Sequence, residues 1–139
     1  MSYDLVGRNK DSIINLGATH VIALKAVLIE LTGKDANFLH RTSEHQCEMW
    51  AKSLKDNLDR IKLIEGVNKK LGLSGRKYGF LVVKGTDIRR QFETGYYKHD
   101  FIDFEPSWEL AKDLNGSWKF VVDDFINFLD SCGGIVEVV

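Results

Sequence analysis

Residues 43–62 read SEHQCEMWAKSLKDNLDRIK, and this stretch carries the strongest structural signal in the chain. Ser43 followed three positions later by Gln46 fits a capping box, in which the serine side chain accepts a hydrogen bond from the amide of Gln46. Apolar residues then recur at three- and four-residue spacing, with charged residues between them. The pattern predicts an amphipathic helix of about twenty residues, which residues 64–71 either extend or follow with a short turn.

The segments before this helix predict a β-hairpin and another helix. Residues 3–7 and 12–16 are rich in apolar residues and flank a turn, which is typical of two antiparallel strands. Two apolar stripes within residues 18–32 predict a helix that is buried on two sides. Gly33 stands just after it, where a left-handed residue commonly ends a helix.

The segments after residue 76 predict further strands and helices. Residues 77–84, KYGFLVVK, predict a strand because aromatic and β-branched residues dominate, whereas residues 88–97 fit a helix or a strand. Pro106 favours the start of a short helix, and Ser117 is the predicted cap of a last helix. Residues 135–139 predict a closing strand that pairs with the hairpin. The expected fold is α+β, with a small, mostly antiparallel sheet and three to four packed helices.

Composition is typical of one globular domain spanning residues 1–139. The chain has 44% hydrophobic and 28% charged residues and one proline, so disorder is not expected. No apolar run approaches the roughly twenty residues that cross a bilayer, and no secretory signal opens the chain. We therefore expect a soluble cytoplasmic protein without a membrane partner, in which Cys47 and Cys132 are buried thiols rather than a disulfide.

Known catalytic and cofactor motifs are absent from the sequence. The glycines at 72 and 75 lack the spacing and the strand-then-helix order of a phosphate-binding loop. No G-x-S-x-G nucleophile elbow and no paired zinc ligands occur. We expect no catalytic residue, no metal ligand and no cofactor, which favours a non-enzymatic protein.

Residues 92–108 form an aromatic–acidic segment, with six aromatic residues and several carboxylates. Tyrosine and other aromatic residues in loops commonly anchor protein partners, although the same rings could instead fold onto the core. The expected function is protein binding, as a bacterial or phage accessory, inhibitor or immunity-like protein, and a homodimer is left open. The predicted partner-binding residues are Tyr96, Tyr97, Asp100, Phe101, Asp103, Phe104 and Glu105.

Charge is divided unevenly along the chain and suggests a nucleic-acid-binding alternative. Residues 1–90 carry a net charge of +6 and residues 91–139 a net charge of −7. This difference either produces a dipolar surface that steers a partner or is neutralised by ion pairs on folding. Basic residues interleaved with aromatic ones can bind nucleic acid. The candidate residues are Lys69, Lys70, Arg76, Lys77, Arg89 and Arg90.

A second alternative is a small hydrolase or metal-dependent enzyme. His99 lies beside Asp100 and Asp103. An imidazole and two carboxylates could perform acid–base chemistry or bind a divalent cation. The calcium-loop pattern of alternating oxygen ligands is not present, so a solvated acidic loop is the competing interpretation.

The two ends of the chain resemble those of a group of small uncharacterised bacterial proteins. The resemblance covers about a third of the chain, concerns mainly core and turn positions, and implies no activity and no functional residue. It rests on Ser2-Tyr3-Asp4-Leu5, on Trp50-Ala51 with Leu54 and Leu58, and on Phe125-Ile126, Phe128-Leu129 and Gly133-Gly134-Ile135.

Overall fold

A computed structural model of the chain describes residues 2–67, 77–93, 97 and 105–139. Its first sheet is formed by the two ends of the chain. β1 (Ser2–Gly7) and β2 (Ile13–Gly17) pair antiparallel, and β6 (Ile135–Val138) pairs antiparallel with the other side of β1. The order is β2-β1-β6. The predicted hairpin and the predicted closing strand are both confirmed.

The helix after the hairpin, α1 (Ala18–Thr32), has the predicted bounds and the predicted end. Gly33 adopts a φ of 73°, and its amide donates to the carbonyl of Ile29 at 2.8 Å. An L side chain is disfavoured at this backbone angle, whereas glycine is not. The helix packs against a strand on one side and a helix on the other, which explains why its apolar residues form two stripes.

The helix predicted from residue 44 onward is present but shorter than predicted. α2 (Glu44–Asp56) begins at Ser43, whose Oγ accepts a hydrogen bond from the amide of Gln46 at 3.1 Å. The capping prediction is therefore confirmed. The helix ends at Asp56, and a 3-10 turn (Leu58–Arg60) leads into β3 (Ile61–Val67).

The predicted length of about twenty residues was wrong, and residues 64–67 neither extend the helix nor form a turn, because residues 61–67 are a strand. Ile61 and Leu63 lie in the main core, whereas Ile64 faces a second core on the opposite side of the strand. Because β3 is buried on both faces, it lacks the strict alternation that marks a half-buried strand. Its apolar residues instead matched helical spacing by coincidence.

β3 is the centre of a second antiparallel sheet. It pairs with β4 (Lys77–Val83), with Leu63 opposite Leu81, and on its other side with the two-residue strand β5 (Lys112–Asp113). The order is β4-β3-β5. The α+β class and the predicted strand at residues 77–84 are confirmed. The described chain holds two three-stranded sheets, however, rather than one.

The remaining helices differ partly from expectation. α3 (Ile88–Glu93) is helical, which decides the first part of the ambiguous segment 88–97, whose residues 94–96 lie outside the described residues. The prediction of a helix from Pro106 was wrong, because Trp108–Leu110 forms one 3-10 turn and the next residues form β5, which pairs with β3. α4 (Gly116–Ser131) is the predicted last helix, but Asn115 rather than Ser117 is its N-cap. No helix in the described ranges is long and apolar enough to cross a membrane.

The main core lies between the first sheet, one face of the second sheet and helices α1, α2 and α4. Phe38, in the connection between α1 and α2, is fully buried and lies 4.9 Å from Phe125 and 6.4 Å from Trp50, centroid to centroid. The second, smaller core covers the other face of the second sheet. It consists of Ala26, Ile64, Val82, Ile88, Phe92 and Tyr97.

Candidate functional site

The predicted aromatic–acidic surface falls mainly outside the described residues, which exclude Tyr96, Asp100, Phe101, Asp103 and Phe104. Two of its members are described, and they lie in different environments. Glu105 is exposed and forms a salt bridge of 2.5 Å with Arg89. Tyr97 is only 4% exposed and belongs to the second core. Tyr97 is therefore removed from the predicted surface.

Packing and hydrogen bonds explain why Tyr97 is buried. Its ring stacks on Phe92 at 5.1 Å and meets Phe80 edge-on at 5.2 Å. Its hydroxyl accepts from the amide of Leu81 at 2.8 Å and donates to the carbonyl of Leu81 at 2.9 Å. Burial raises the pKa of Tyr97 well above its ordinary value, so the hydroxyl stays protonated and can make both bonds.

Gln91 makes the same kind of contact with Val83, two residues after Leu81 in β4. Its Oε1 accepts from the amide of Val83 at 2.9 Å, and its Nε2 donates to the carbonyl of Val83 at 2.9 Å. Together, the Gln91 amide and the Tyr97 hydroxyl replace the bonds that a neighbouring strand would make. Covering an edge in this way prevents unwanted strand pairing. Nothing in the sequence around Gln91 indicated this role.

Replacing Tyr97 by phenylalanine keeps the ring but removes both bonds to Leu81. We expect the free energy of unfolding to fall by about 2 kcal/mol, because a buried amide and a buried carbonyl lose their partner. Urea unfolding measures the loss. Hydrogen exchange should accelerate more at the amide of Leu81, which loses its cover, than at that of Leu63 in the central strand, which reports only the global loss of stability. Unchanged protection of Leu81 would contradict this role of Tyr97.

The described arginines of the predicted nucleic-acid surface are paired with carboxylates. Arg89 contacts Glu105, and Arg90 contacts Glu30 at 2.7 Å. The hydrogen bond and the charge of Glu30 raise the pKa of Arg90. The backbone of Lys77 lies in β4. Lys69, Lys70 and Arg76 are outside the described residues.

The imidazole and carboxylates of the predicted hydrolase or metal site, His99, Asp100 and Asp103, also lie outside the described residues. Among residues 2–67, 77–93, 97 and 105–139, no three histidine, cysteine or acidic side chains are grouped as metal ligands would be. The turn predicted at residues 72–75 and most of the loop predicted at 98–105 are likewise not described.

Ion pairs join the basic first part of the chain to the acidic last part. Their partners are far apart in the sequence and meet because the chain folds. Such pairs neutralise part of the charge difference that the sequence shows, which favours the second of the two interpretations of that difference. The pairs are Lys55–Asp130, Lys62–Asp113 and Arg89–Glu105.

An open groove lies where the end of α2, the start of β3, β5 and the N-terminal half of α4 meet. Its volume is about 610 Å³. Ile61 is buried, and Leu58 and Leu114 are half-buried, so apolar side chains form its floor. Lys62, Asp113 and Lys119 are charged residues of its lining, and a smaller depression of about 320 Å³ continues it along α4.

Two lysines of the groove form ion pairs with neighbouring aspartates. Lys62 donates to Asp113 at 2.6 Å, and Lys119 donates to Asp123, one turn along α4, at 2.8 Å. The hydrogen bond from Lys62 lowers the pKa of Asp113. The carboxylate therefore stays ionised at neutral pH, and the groove presents both positive and negative groups beside an apolar floor.

Sequence inspection did not identify this groove. The helix of about twenty residues predicted from residue 43 would carry both Lys55 and Lys62, whereas the structure puts them on α2 and β3. Asp113 and Leu114 lie far along the chain, in a segment for which a helix was predicted. The groove forms only because β5 pairs with β3, and no local pattern encodes that pairing.

Comparison with known proteins adds no relative to these observations. No family model matches the chain, and no curated protein and no solved structure matches it. The likeness of the two chain ends to small bacterial proteins therefore remains a prediction.

Proposed function

We propose that this protein is a non-enzymatic binding protein whose partner is another protein, and that the groove between α2, β3, β5 and α4 is its contact surface. The observation that carries the proposal is the combination of an apolar floor with lysines and aspartates in one open groove. Protein interfaces have this arrangement, with an apolar centre that excludes water and a polar rim.

The form of the groove favours a protein over a small molecule. Small-molecule sites are clefts that enclose most of the ligand surface, whereas this groove is wide and continues along α4 past Lys55 and Leu58. A protein segment can follow such a path and place apolar side chains on Leu58 and Leu114. Its charged groups would then pair with Lys119 and Asp113 at the rim.

The aromatic–acidic segment, without Tyr97, is proposed as a second contact region. Tyr96, Phe101 and Phe104 would supply aromatic anchors, and Asp100, Asp103 and Glu105 would supply charge, as the sequence predicts. Action as an inhibitor or immunity-like protein remains part of this proposal.

Lys119→Glu tests the groove directly. The change places a negative charge beside Asp113 and Asp123, so an acidic group of the partner would be repelled. We expect affinity for the partner to fall at least about fivefold, which corresponds to about 1 kcal/mol. The partner is first captured from a lysate of the source cells with the tagged wild-type chain and identified by mass spectrometry. The affinity of the purified partner for each variant is then measured by calorimetry.

Lys52→Glu is the matched control. Lys52 pairs with Asp56 one helical turn away at 2.7 Å, as Lys119 pairs with Asp123 at 2.8 Å, but Lys52 is not part of the groove. Both changes therefore have similar small effects on stability. Equal affinity of the two variants for the partner would reject the groove as the contact surface. A loss confined to Phe101→Ala would instead assign the contact to the aromatic–acidic segment.

The two other functions remain predictions, because three of the six nucleic-acid residues and all three hydrolase or metal residues lie outside the described chain. Nucleic-acid binding by Lys69, Lys70, Arg76, Lys77, Arg89 and Arg90 requires an affinity that falls steeply with salt. A hydrolase or metal enzyme at His99, Asp100 and Asp103 requires activity that His99→Ala abolishes. Neither behaviour is expected of a protein that acts through the groove.

A further inference from the structure

The two cysteines of the chain, far apart in sequence, lie together in the main core. Cys47 is in the first turn of α2, and Cys132 follows the last residue of α4. Neither side chain is exposed, and both are free thiols, as the sequence predicted. The Cys47 thiol interacts with Cys132, and both residues belong to the main core. The thiol of Cys132 in turn donates to the carbonyl of Leu129 at 3.8 Å.

Backbone contacts hold the segments that carry the two cysteines against each other. Thr42 and Ile135 exchange two backbone hydrogen bonds of 2.9 Å each. Gly134 has a φ of 103°, and a Cβ there would lie 2.9 Å from the carbonyl oxygen of Thr42 and 3.1 Å from the nitrogen of Glu44. Only a glycine permits so close an approach. The start of α2 is therefore fixed beside Gly134 and Ile135, which follow Cys132 closely in the chain.

We propose that Cys47 and Cys132 are a modification site at which a low-molecular-weight disulfide, such as oxidised glutathione, introduces a reversible intramolecular disulfide. A disulfide requires two cysteines whose side chains already approach each other, because the bond tolerates little deviation in geometry. The two thiols interact, and backbone contacts anchor the segments that carry them to each other, so the fold brings the cysteines together as such a bond requires.

The reaction consists of two thiol–disulfide exchanges. One protein thiolate attacks a sulfur of oxidised glutathione, which forms a mixed disulfide and releases one glutathione thiolate. The second protein thiolate then attacks the protein sulfur of the mixed disulfide and releases the other glutathione thiolate. The protein thiols lose two protons and two electrons in all, and the two electrons reduce oxidised glutathione to two glutathione molecules.

Burial makes this exchange slow at neutral pH. Burial away from water is the main cause, and the proximity of Cys132 the second, that raises the pKa of Cys47 to about 12. The thiolate, which is the attacking form, is therefore scarce at pH 7 and becomes more abundant as the pH rises. The contact between residues 42–47 and 132–135 must also open briefly to admit glutathione.

The experiment refolds the reduced chain from denaturant in buffers with different ratios of oxidised to reduced glutathione, at pH 8.5. In the unfolded chain glutathione can reach both thiols, so the experiment tests whether the native fold accommodates a disulfide between them. In oxidising buffer we expect a monomer that has lost about two mass units and has no thiol left to titrate in denaturant. Its melting temperature should exceed that of the reduced form by about 10 °C, because a long loop is closed in the unfolded chain.

Cys47→Ala and Cys132→Ala are the controls. Each should refold to the native circular dichroism spectrum with its one remaining cysteine as a free thiol, because that side chain is buried and has no second cysteine to pair with. The proposal is overturned if the wild-type chain refolds with two free thiols, with glutathione attached, or as a disulfide-linked dimer. Oxidation of the already folded wild-type chain should proceed faster at pH 9 than at pH 7, and the opposite order would contradict attack by a buried thiolate.

Discussion

Replacing Phe38 by alanine is expected to lower the free energy of unfolding by about 4 kcal/mol, which is typical of a fully buried phenylalanine. Phe38 has no exposed surface and lies between the rings of Phe125 on α4 and Trp50 on α2. Lys25 of α1 lies over its ring at 5.9 Å. The ring thus contacts all three helices of the main core, and its removal leaves a cavity that they cannot fill without moving.

Phe120→Ala is the matched control for Phe38→Ala. The same atoms are deleted, but Phe120 is 70% exposed on α4, so the loss should not exceed about 0.5 kcal/mol. Urea unfolding of both variants, monitored by circular dichroism, measures the difference. Similar losses for the two variants would mean that Phe38 does not connect the three helices.

Replacing Gly79 by alanine is expected to lower the free energy of unfolding by about 3 kcal/mol, at the upper end of overpacking effects. A Cβ at residue 79 would lie 2.1 Å from Nε1 and 2.2 Å from Cε2 of Trp118. Neither the backbone of Gly79 nor the indole of Trp118 can easily move away. Gly79 is paired with Glu65 in the second sheet, and His20 meets the indole edge-on at 5.0 Å.

Two further variants separate the steric effect at Gly79 from the general cost of losing a glycine. Gly33→Ala introduces a methyl group with no atom within 4 Å, at a φ of 73°, and should cost about 1 kcal/mol through the backbone alone. In the double variant Gly79→Ala with Trp118→Leu, the clash disappears. Its loss should therefore be smaller than the sum of the two single losses, and strict additivity would show that the two residues do not collide.

The parts of the fold that were predicted correctly are those encoded by neighbouring residues. Ser43 and Gln46 are three positions apart and specify the start of α2 through one hydrogen bond. The glycine at position 33 specifies the end of α1 in the same local way. By contrast, the end of α2 depends on the pairing of residues 61–67 with β4 and β5, which are distant in sequence.

The groove could not be predicted for a related reason. Leu58, Lys62 and Asp113 meet through the pairing of β3 with β5, and Lys119 lies beside them because α4 packs on α2. Each of these residues is ordinary in its own segment. The aromatic–acidic segment stood out in the sequence, but Tyr97 shows that an aromatic ring in such a segment can belong to the core.

Residue order alone was enough to specify the α+β class, the hairpin, two helix ends and the strand that closes the first sheet. These features depend on caps, turns and alternation, whose energies act within a few residues. Tertiary structure decided where α2 stops, that two sheets form, which tyrosine is buried and which charges meet. Each of those outcomes depends on burial and pairing between distant segments, and such contacts exceed local preferences by enough to override them.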